Sequence, residues 1–147
     1  MKEGSPQVRW LRADLVAHPT ACTLAYWHRP RFSSGTHGNS LVPQLPFQIL
    51  YDAGADVVLV GHDHSYERFA PQTPDGIADP ARGIRQFVVG TGGESHYPLN
   101  TRQPNSEVFD GTTSGIIKLT LKATGYLWEF IPEAGAAFVD LGSGECH

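Results

Sequence analysis

Apolar residues near the start of the chain recur at i, i+3, i+7 and i+8, which is the spacing of one face of an α-helix. They are Val8, Leu11, Leu15 and Val16. Ser5 is a suitable cap for such a helix, Pro6 suits its first turn, and Pro19 cannot continue it. The pattern therefore predicts a helix that begins after Ser5 and ends before Pro19.

Two later apolar runs, residues 21–27 and 55–61, have no helical period and are short enough for buried strands. A loop rich in Gly, Ser and Pro follows the first run, and residues 45–53 predict a second helix that Gly54 closes in a left-handed conformation. Strand, loop, helix and strand in this order are typical of a parallel crossover unit. The carboxyl ends of both strands are therefore expected at the same edge of one sheet.

The second half of the chain shows weaker periodicity. Residues 70–83 are expected to form a loop, a strand is expected from residue 84, and the glycine cluster within residues 88–95 indicates a tight turn. Ile117, Leu119 and Leu121 alternate with polar residues before Thr124 and Gly125, which predicts a terminal β-hairpin. The aromatic residues expected in the core of this hairpin are Tyr126, Trp128 and Phe130. No linker divides the pattern, so it predicts a single α/β domain.

Composition narrows the classes of function. Eleven Lys and Arg against fifteen Asp and Glu give a net charge of -4, and without a basic run nucleic-acid binding is not expected. No apolar stretch approaches the roughly 18 residues that span a bilayer, so no membrane segment is expected. The two cysteines are too few for a disulfide framework or a cysteine zinc site, and Cys22 is expected to be a small buried hydrophobic residue.

Histidines follow both predicted strands directly: His28 follows the first, and His62 and His64 follow the second. Because the two strand ends meet at one sheet edge, where open α/β sheets bind ligands, the three imidazoles are expected to converge. Neutral imidazole is a common ligand of zinc, iron and related metals. If the segment is extended, Asp63 points away from the metal side. Simpler alternatives stay open, namely a polar turn for His62 and His64 and a hydrogen-bonded strand cap for His28.

The segments around these histidines, "LAYWHRPRFSSGTHG" and "GHDHSYER", resemble the C-terminal half of the calcineurin-like metallophosphoesterases, most closely the purple acid phosphatase branch. The resemblance runs over residues 7–69 and implies that His28 and His62 bind one metal ion and His64 the other. It implies a catalytic role for His37, nine positions after His28, in orienting the phosphate or donating a proton to the leaving group. An exposed loop residue is the alternative for His37. Packing and support of the site are implied for Tyr66, Glu67 and Arg68.

The same resemblance implies a fold and an activity. The fold is a four-layer α/β/β/α sandwich, an α/β (α+β) architecture, of which this chain would supply mainly one mixed sheet and a terminal β-hairpin. The activity is that of an acid phosphatase-like hydrolase of phosphate monoesters or diesters, with two divalent or mixed-valence ions of Fe, Zn or Mn. Two such ions about 3.5–4 Å apart polarise the phosphoryl oxygens and lower the pKa of a bound water that attacks phosphorus. A secreted or periplasmic location is implied by the resemblance alone.

The carboxylate ligands that such an ion pair needs are absent from the sequence. The family draws them from an N-terminal half with motifs resembling Gly-Asp-x-x-Tyr and Gly-Asn-His-Glu. The chain has no Gly-Asp pair, and its one Gly-Asn pair, Gly38 and Asn39, lies after His28. Asp56 begins the strand that ends at His62, roughly 17 Å away in extended chain, so it cannot replace them. Residues 1–147 are therefore interpreted as one partial domain that lacks its N-terminal half.

Two functions remain open on the sequence. In the first, the chain is part of a metal-dependent phosphoesterase, inactive by itself, whose partners are a phosphoester substrate and the missing N-terminal half. In the second, it is a non-catalytic module with at most a weak three-histidine metal site.

Overall fold

The computed structural model of the protein describes residues 2–147. The helices of this range are α1 (Pro6–Ala17) and α2 (Gln44–Asp52). Its strands are β1 (Leu24–Tyr26), β2 (Val57–Val60), β3 (Tyr66–Phe69), β4 (Arg85–Val89), β5 (Ser106–Asp110), β6 (Gly115–Leu121), β7 (Gly125–Pro132) and β8 (Leu141–Glu145). No helix among these residues is long and apolar enough to cross a membrane.

Both predicted helices form where the sequence places them. The Ser5 hydroxyl accepts a hydrogen bond from the Val8 backbone N–H at 3.4 Å, and Pro6 occupies the first turn of α1. This helix ends at Ala17, before Pro19 can interrupt it. The second helix, α2, ends one residue earlier than predicted, and Gly54 follows it with a φ of +75°. The capping signals were therefore sufficient to locate both helices to within a residue or two.

The five-stranded sheet has the order β1-β2-β4-β3-β5. Strands β1, β2 and β4 are parallel, so their carboxyl ends lie at one edge, which confirms the predicted crossover unit. Strand β3 is antiparallel to β4, and β5 is antiparallel to β3, so β5 runs in the same direction as β1, β2 and β4. Neither β3 nor β5 was predicted. Strand β3 carries Glu67 and Arg68 inside the fold and therefore lacks the apolar alternation that signals a strand.

The three-stranded sheet has the order β6-β7-β8, and its first two strands are the predicted hairpin. The third strand was missed because its sequence, LGSGE, has two glycines and no apolar alternation. Both glycines are required by packing: a Cβ at Gly142 would lie 2.4 Å from Trp128 Cζ2, and one at Gly144 would lie 2.3 Å from Tyr126 Cζ. The aromatic rings of β7 thus lie directly over the backbone of β8, and only glycine leaves room for them at positions 142 and 144.

The two sheets and two helices form three layers. One face of the five-stranded sheet packs against α1 and α2 around Phe47, Leu50 and Val88, and its other face packs against the three-stranded sheet. The residues of that second core include Tyr66, Phe87, Tyr126, Trp128 and Phe130. The predicted mixed sheet and terminal β-hairpin are confirmed, and β8 extends the hairpin to a second sheet, so the chain supplies more than the one sheet expected. Apolar side chains on the outer face of this second sheet remain exposed, among them Ile116 and Leu141.

A disulfide joins Cys22, just before β1, to Cys146, just after β8, with a Cα–Cα distance of 5.2 Å. The expectation that Cys22 is only a small buried hydrophobic residue was therefore wrong. The two cysteines are 124 residues apart, so only the tertiary fold brings them together. Close by, the Asp56 carboxylate accepts the backbone N–H groups of Thr23 at 2.8 Å and His147 at 3.0 Å. This end of the sheet is opposite to the one that carries the histidines.

Glu67 is a buried carboxylate that anchors the loop after β1 to the sheet. It accepts the Ser34 backbone N–H at 2.8 Å and the Ser106 hydroxyl at 2.6 Å. Burial raises the pKa of Glu67 above its ordinary value, although both hydrogen bonds oppose the shift. The folded state therefore binds this proton more tightly than the unfolded state does. As a result, the free energy of unfolding falls as the pH rises from about 4.3, the pKa of an unfolded glutamate, through the higher pKa of Glu67 in the folded state.

We expect Glu67→Gln to remove this pH dependence without loss of stability, because a neutral amide can keep both contacts. At neutral pH the variant should be as stable as the wild type or up to about 1 kcal/mol more stable, whereas Glu67→Ala should lose about 1–3 kcal/mol by leaving the Ser34 N–H unpaired. Urea unfolding followed over a range of pH measures both effects. The matched control is Glu129→Gln at an exposed site. A clear loss of stability in Glu67→Gln at neutral pH would contradict the conclusion that the buried charge of Glu67 costs stability.

Candidate metal centre

His28 and His62 meet at the carboxyl ends of β1 and β2. Hydrogen bonds from Trp27 N–H to the Leu59 carbonyl (3.1 Å) and from Gly61 N–H to the His28 carbonyl (3.0 Å) extend the strand pairing as far as the histidines. The His28 Nε2 and His62 Nδ1 atoms are 3.0 Å apart. Two nitrogens at this separation, each about 2.0–2.1 Å from one ion, subtend an angle of roughly 95° at the metal. In the structure the two nitrogens share a hydrogen bond, and the same separation fits two adjacent ligands of one ion when neither nitrogen carries a proton.

The backbone that carries His62 is not extended. His62 has a φ of 68°, an unusual value for a residue with a side chain. Two hydrogen bonds between residues two positions apart, both at 2.9 Å, join Asp63 N–H to the Gly61 carbonyl and Ser65 N–H to the Asp63 carbonyl. The condition under which Asp63 was expected to point away, an extended segment, is therefore not met. Asp63 nevertheless points away from the paired imidazoles and is completely buried, as predicted. A strained left-handed residue of this kind costs about 1–3 kcal/mol and is typical of functional sites.

His64 is oriented by the loop after β4. Its Nδ1 lies 2.8 Å from the Ser95 carbonyl oxygen, and because a carbonyl can only accept, Nδ1 carries the proton and Nε2 is left available. The Tyr97 ring stacks on the imidazole with a centroid distance of 4.2 Å and an interplanar angle of 13°. The Tyr97 backbone N–H donates to the His64 carbonyl at 2.9 Å. These contacts hold His64 with one nitrogen free to bind a ligand.

His37 lies beside this group although it comes from the long loop after β1. Its ring centroid is 4.2 Å from that of His62 and 5.5 Å from that of Tyr97. His37, His62 and Arg29 line a cavity of about 150 Å³ next to the paired histidines. The structure therefore brings His37 and His62 into contact.

The electrostatics of the group favour neutral imidazole at His62. Partial burial lowers the pKa of His62 below its usual range, and the nearby His37, Arg29 and His28 lower it further. A neutral ring keeps the lone pair that a metal ligand needs.

The described residues fit only the nitrogen half of a dinuclear site. Among residues 2–147, no three or more His, Cys, Asp or Glu side chains are arranged to hold a metal ion. Asp63 is turned into the protein towards His37, and Asp56 lies at the far end of β2, where it binds Thr23. Two cations held only by neutral nitrogens would lack the anionic ligands that such pairs require.

Some residues of this site were not identified from the sequence. Asp63 was expected only to point away, whereas it binds His37, and Ser95 and Tyr97 were missed as partners of His64. The available signal for the latter pair was weak. Both follow the glycine cluster at the end of β4, a strand that runs parallel to β2 and ends at the same edge.

The histidines thus lie at the carboxyl ends of parallel strands in an α/β/β layered fold. The chain contains a purple acid phosphatase-like metallophosphoesterase region. Purple acid phosphatase 21 of Arabidopsis thaliana is 34% identical to it over 110 residues, which are 69% of this chain and 24% of that protein. Purple acid phosphatase 15 of the same plant is 32% identical over 97 residues, 62% of this chain and 18% of the relative. No protein-family model matches the chain.

Two solved structures share the fold at low sequence identity. Purple acid phosphatase PPD1 from yellow lupin seeds superposes with a TM-score of 0.76 and 20% identity over 97% of this chain and 28% of its own. GAP50, described as the anchor in the inner membrane complex of Plasmodium, gives a TM-score of 0.79 and 17% identity over 95% of this chain and 42% of its own. The chain spans 18–25% of the length of the curated relatives it matches.

Proposed function

We propose that the chain is the histidine-bearing part of a dinuclear metal-dependent phosphoesterase that hydrolyses phosphate monoesters or diesters. The observation that carries the proposal is the 3.0 Å approach of His28 Nε2 to His62 Nδ1 at the shared strand edge, with His37 in contact beside it. The likeness of the surrounding sequence to purple acid phosphatases supports the same reaction class.

In this proposal each histidine has a defined role. His28 Nε2 and His62 Nδ1 bind one ion, and His64 Nε2 binds the other, because Ser95 occupies the His64 Nδ1. His37 orients the phosphate or donates a proton to the leaving group. When bound, two ions of Fe, Zn or Mn supply positive charge to the phosphoryl oxygens and lower the pKa of a water molecule.

The carboxylates of the site come, in this proposal, from outside residues 1–147, which make up a partial domain. The alternative is a non-catalytic module with at most a weak three-histidine site, and the lack of a complete metal-binding group among the described residues favours it for the isolated chain. A secreted or periplasmic location is part of the proposal. The disulfide between Cys22 and Cys146 supports it, because such bonds persist in oxidising compartments.

We expect the purified chain to bind Zn²⁺ weakly, with no more than one ion, and to hydrolyse 4-nitrophenyl phosphate at a negligible rate. Two neutral nitrogens hold an ion without the charge compensation that gives tight binding. Isothermal titration with Zn²⁺ and a phosphatase assay measure the two properties. His62→Ala should abolish the binding, and His18→Ala, at the exposed end of α1, is the matched control.

The outcomes separate the two parts of the proposal. Equal Zn²⁺ affinity in wild type and His62→Ala would refute the assignment of the ligands. Robust metal-dependent turnover by the isolated chain would instead show that residues 1–147 already hold a complete site.

A further inference from the structure

Asp63 is a completely buried carboxylate that lies between two proposed metal ligands in the sequence and turns away from both. Its Oδ2 accepts the Ser33 hydroxyl in a short hydrogen bond. Its Oδ1 accepts the backbone N–H of His37 at 3.0 Å and lies 2.8 Å from Nδ1 of the His37 ring. Burial of a carboxylate is costly unless donors surround it, and three donors from a single loop surround this one.

The backbone around Asp63 leaves the carboxylate no freedom to move. A Cβ on Gly35 would lie 2.9 Å from Asp63 Cγ, so the loop backbone packs closely against the carboxyl group. A Cβ on Gly90 would lie 1.9 Å from the Asp63 carbonyl oxygen, so the backbone after β4 packs closely against the backbone of Asp63. The position of the carboxylate is therefore set by the junction of β2, β4 and the loop.

These contacts determine which nitrogen of His37 carries a proton. A neutral imidazole can hold its proton on either ring nitrogen, whereas a carboxylate oxygen can only accept. With Oδ1 at 2.8 Å, Nδ1 is the donor, and the opposite edge of the ring, with Nε2, is left for the cavity that His37 shares with Arg29 and His62. Two hydrogen bonds from one residue to the same oxygen fix both the backbone and the ring.

We propose that Asp63 is a positioning residue for His37, which holds the ring in its Nδ1–H form so that Nε2 faces a phosphoester bound beside His62. The proposal deepens the phosphoesterase function and rests on it for the role of His37. The residue between the two histidines of the motif thereby links the metal-ligand segment to the loop that carries the substrate-facing histidine. It acts through His37 and touches neither metal nor substrate.

The test is nuclear magnetic resonance of the ¹⁵N-labelled chain without metal at neutral pH. Two-bond ¹H–¹⁵N correlations report which ring nitrogens are protonated, and His37→Gln assigns the His37 signals among the seven histidines. We expect His37 Nδ1 to carry a proton in the wild type. An unprotonated Nδ1 would overturn the proposal without the need for any further variant.

Variants of Asp63 give the second arm. Asp63→Ala should reduce the population of the Nδ1–H form severalfold, because it removes the carboxylate that accepts the Nδ1 proton. Asp63→Asn should restore it, because the His37 backbone N–H also points at the Oδ1 position and requires the amide oxygen there. An unchanged ratio in a folded Asp63→Ala, or no recovery in Asp63→Asn, would refute the positioning role.

Asp56→Ala is the matched control, since Asp56 is also a buried carboxylate with backbone donors but lies at the other end of β2. It should leave the His37 signals unchanged. If Asp63→Ala does not fold, the wild type and Asp63→Asn decide the question. Because no metal or substrate is present, failure of this proposal leaves the Zn²⁺ titration untouched, and failure of the titration leaves the His37 signals untouched.

Discussion

Replacing Asp140 with alanine is expected to lower the free energy of unfolding by about 3 kcal/mol. Asp140 is buried between the two sheets, where its carboxylate accepts the Tyr66 hydroxyl at 2.6 Å and the Arg68 Nε–H at 2.8 Å. It also accepts the Trp128 indole N–H at 3.2 Å. One carboxylate therefore satisfies polar groups of β3 and β7, which belong to different sheets.

The cost arises because the alanine leaves these donors buried without an acceptor. Burial and the contact with Asp140 raise the pKa of Tyr66, so this hydroxyl stays protonated and needs an acceptor throughout the physiological pH range. Arg68 keeps a second carboxylate partner in Glu107, which limits the loss at that side chain. Among residues 2–147, the Tyr66 hydroxyl and the Trp128 indole N–H have no second acceptor that would limit their loss.

Urea unfolding followed by circular dichroism measures the loss for Asp140→Ala. Asp140→Asn, which keeps an acceptor oxygen of the same shape, should fall between alanine and the wild type. Glu129→Ala is the control, because its pair with Lys118 on the same sheet is exposed and 3.8 Å long and should contribute less than about 1 kcal/mol. A loss for Asp140→Ala no greater than that of the control would refute the role of Asp140 between the sheets.

Removal of the disulfide in a Cys22→Ala/Cys146→Ala variant is expected to lower the free energy of unfolding by about 2–5 kcal/mol. The bond closes a loop of 124 residues, so it excludes a large share of the conformations of the unfolded chain. It also ties the end of β8 to the start of β1, on the side of the sheet away from the histidines. The stability should therefore fall while the weak Zn²⁺ binding of the folded protein stays the same.

A thermal or urea unfolding series with and without reductant checks the effect. Reductant should shift the wild type to the midpoint of the double variant and should not affect the variant itself. Coincident midpoints for oxidised and reduced wild type would show that the bond contributes nothing. A change in Zn²⁺ affinity of the folded variant would contradict the separation of the two ends of the sheet.

Local signals accounted for much of the fold. The cap at Ser5, the proline at the start of α1 and the glycine after α2 are effects of a few neighbouring residues, and both helices were located from them. The parallel crossover followed from strand, loop, helix and strand in order, and with it the expectation that His28 and His62 converge. Strands β3 and β5 escaped because the partners of their polar residues are distant in the sequence, and β8 escaped because LGSGE has no apolar alternation.

The sequence by itself determined the element order of the first half, the hairpin and the meeting of His28 and His62 at one sheet edge, because each depends on local periodicity or on the direction of parallel strands. Only the tertiary structure decided that Cys22 meets Cys146, that Asp140 serves two sheets and that Asp63 binds His37. These contacts join residues separated by 12 to 124 positions, and no local pattern records which donor a buried acceptor will meet. Such partners are set by the packing of whole layers, since a buried polar group is stable only where the fold brings a partner to it.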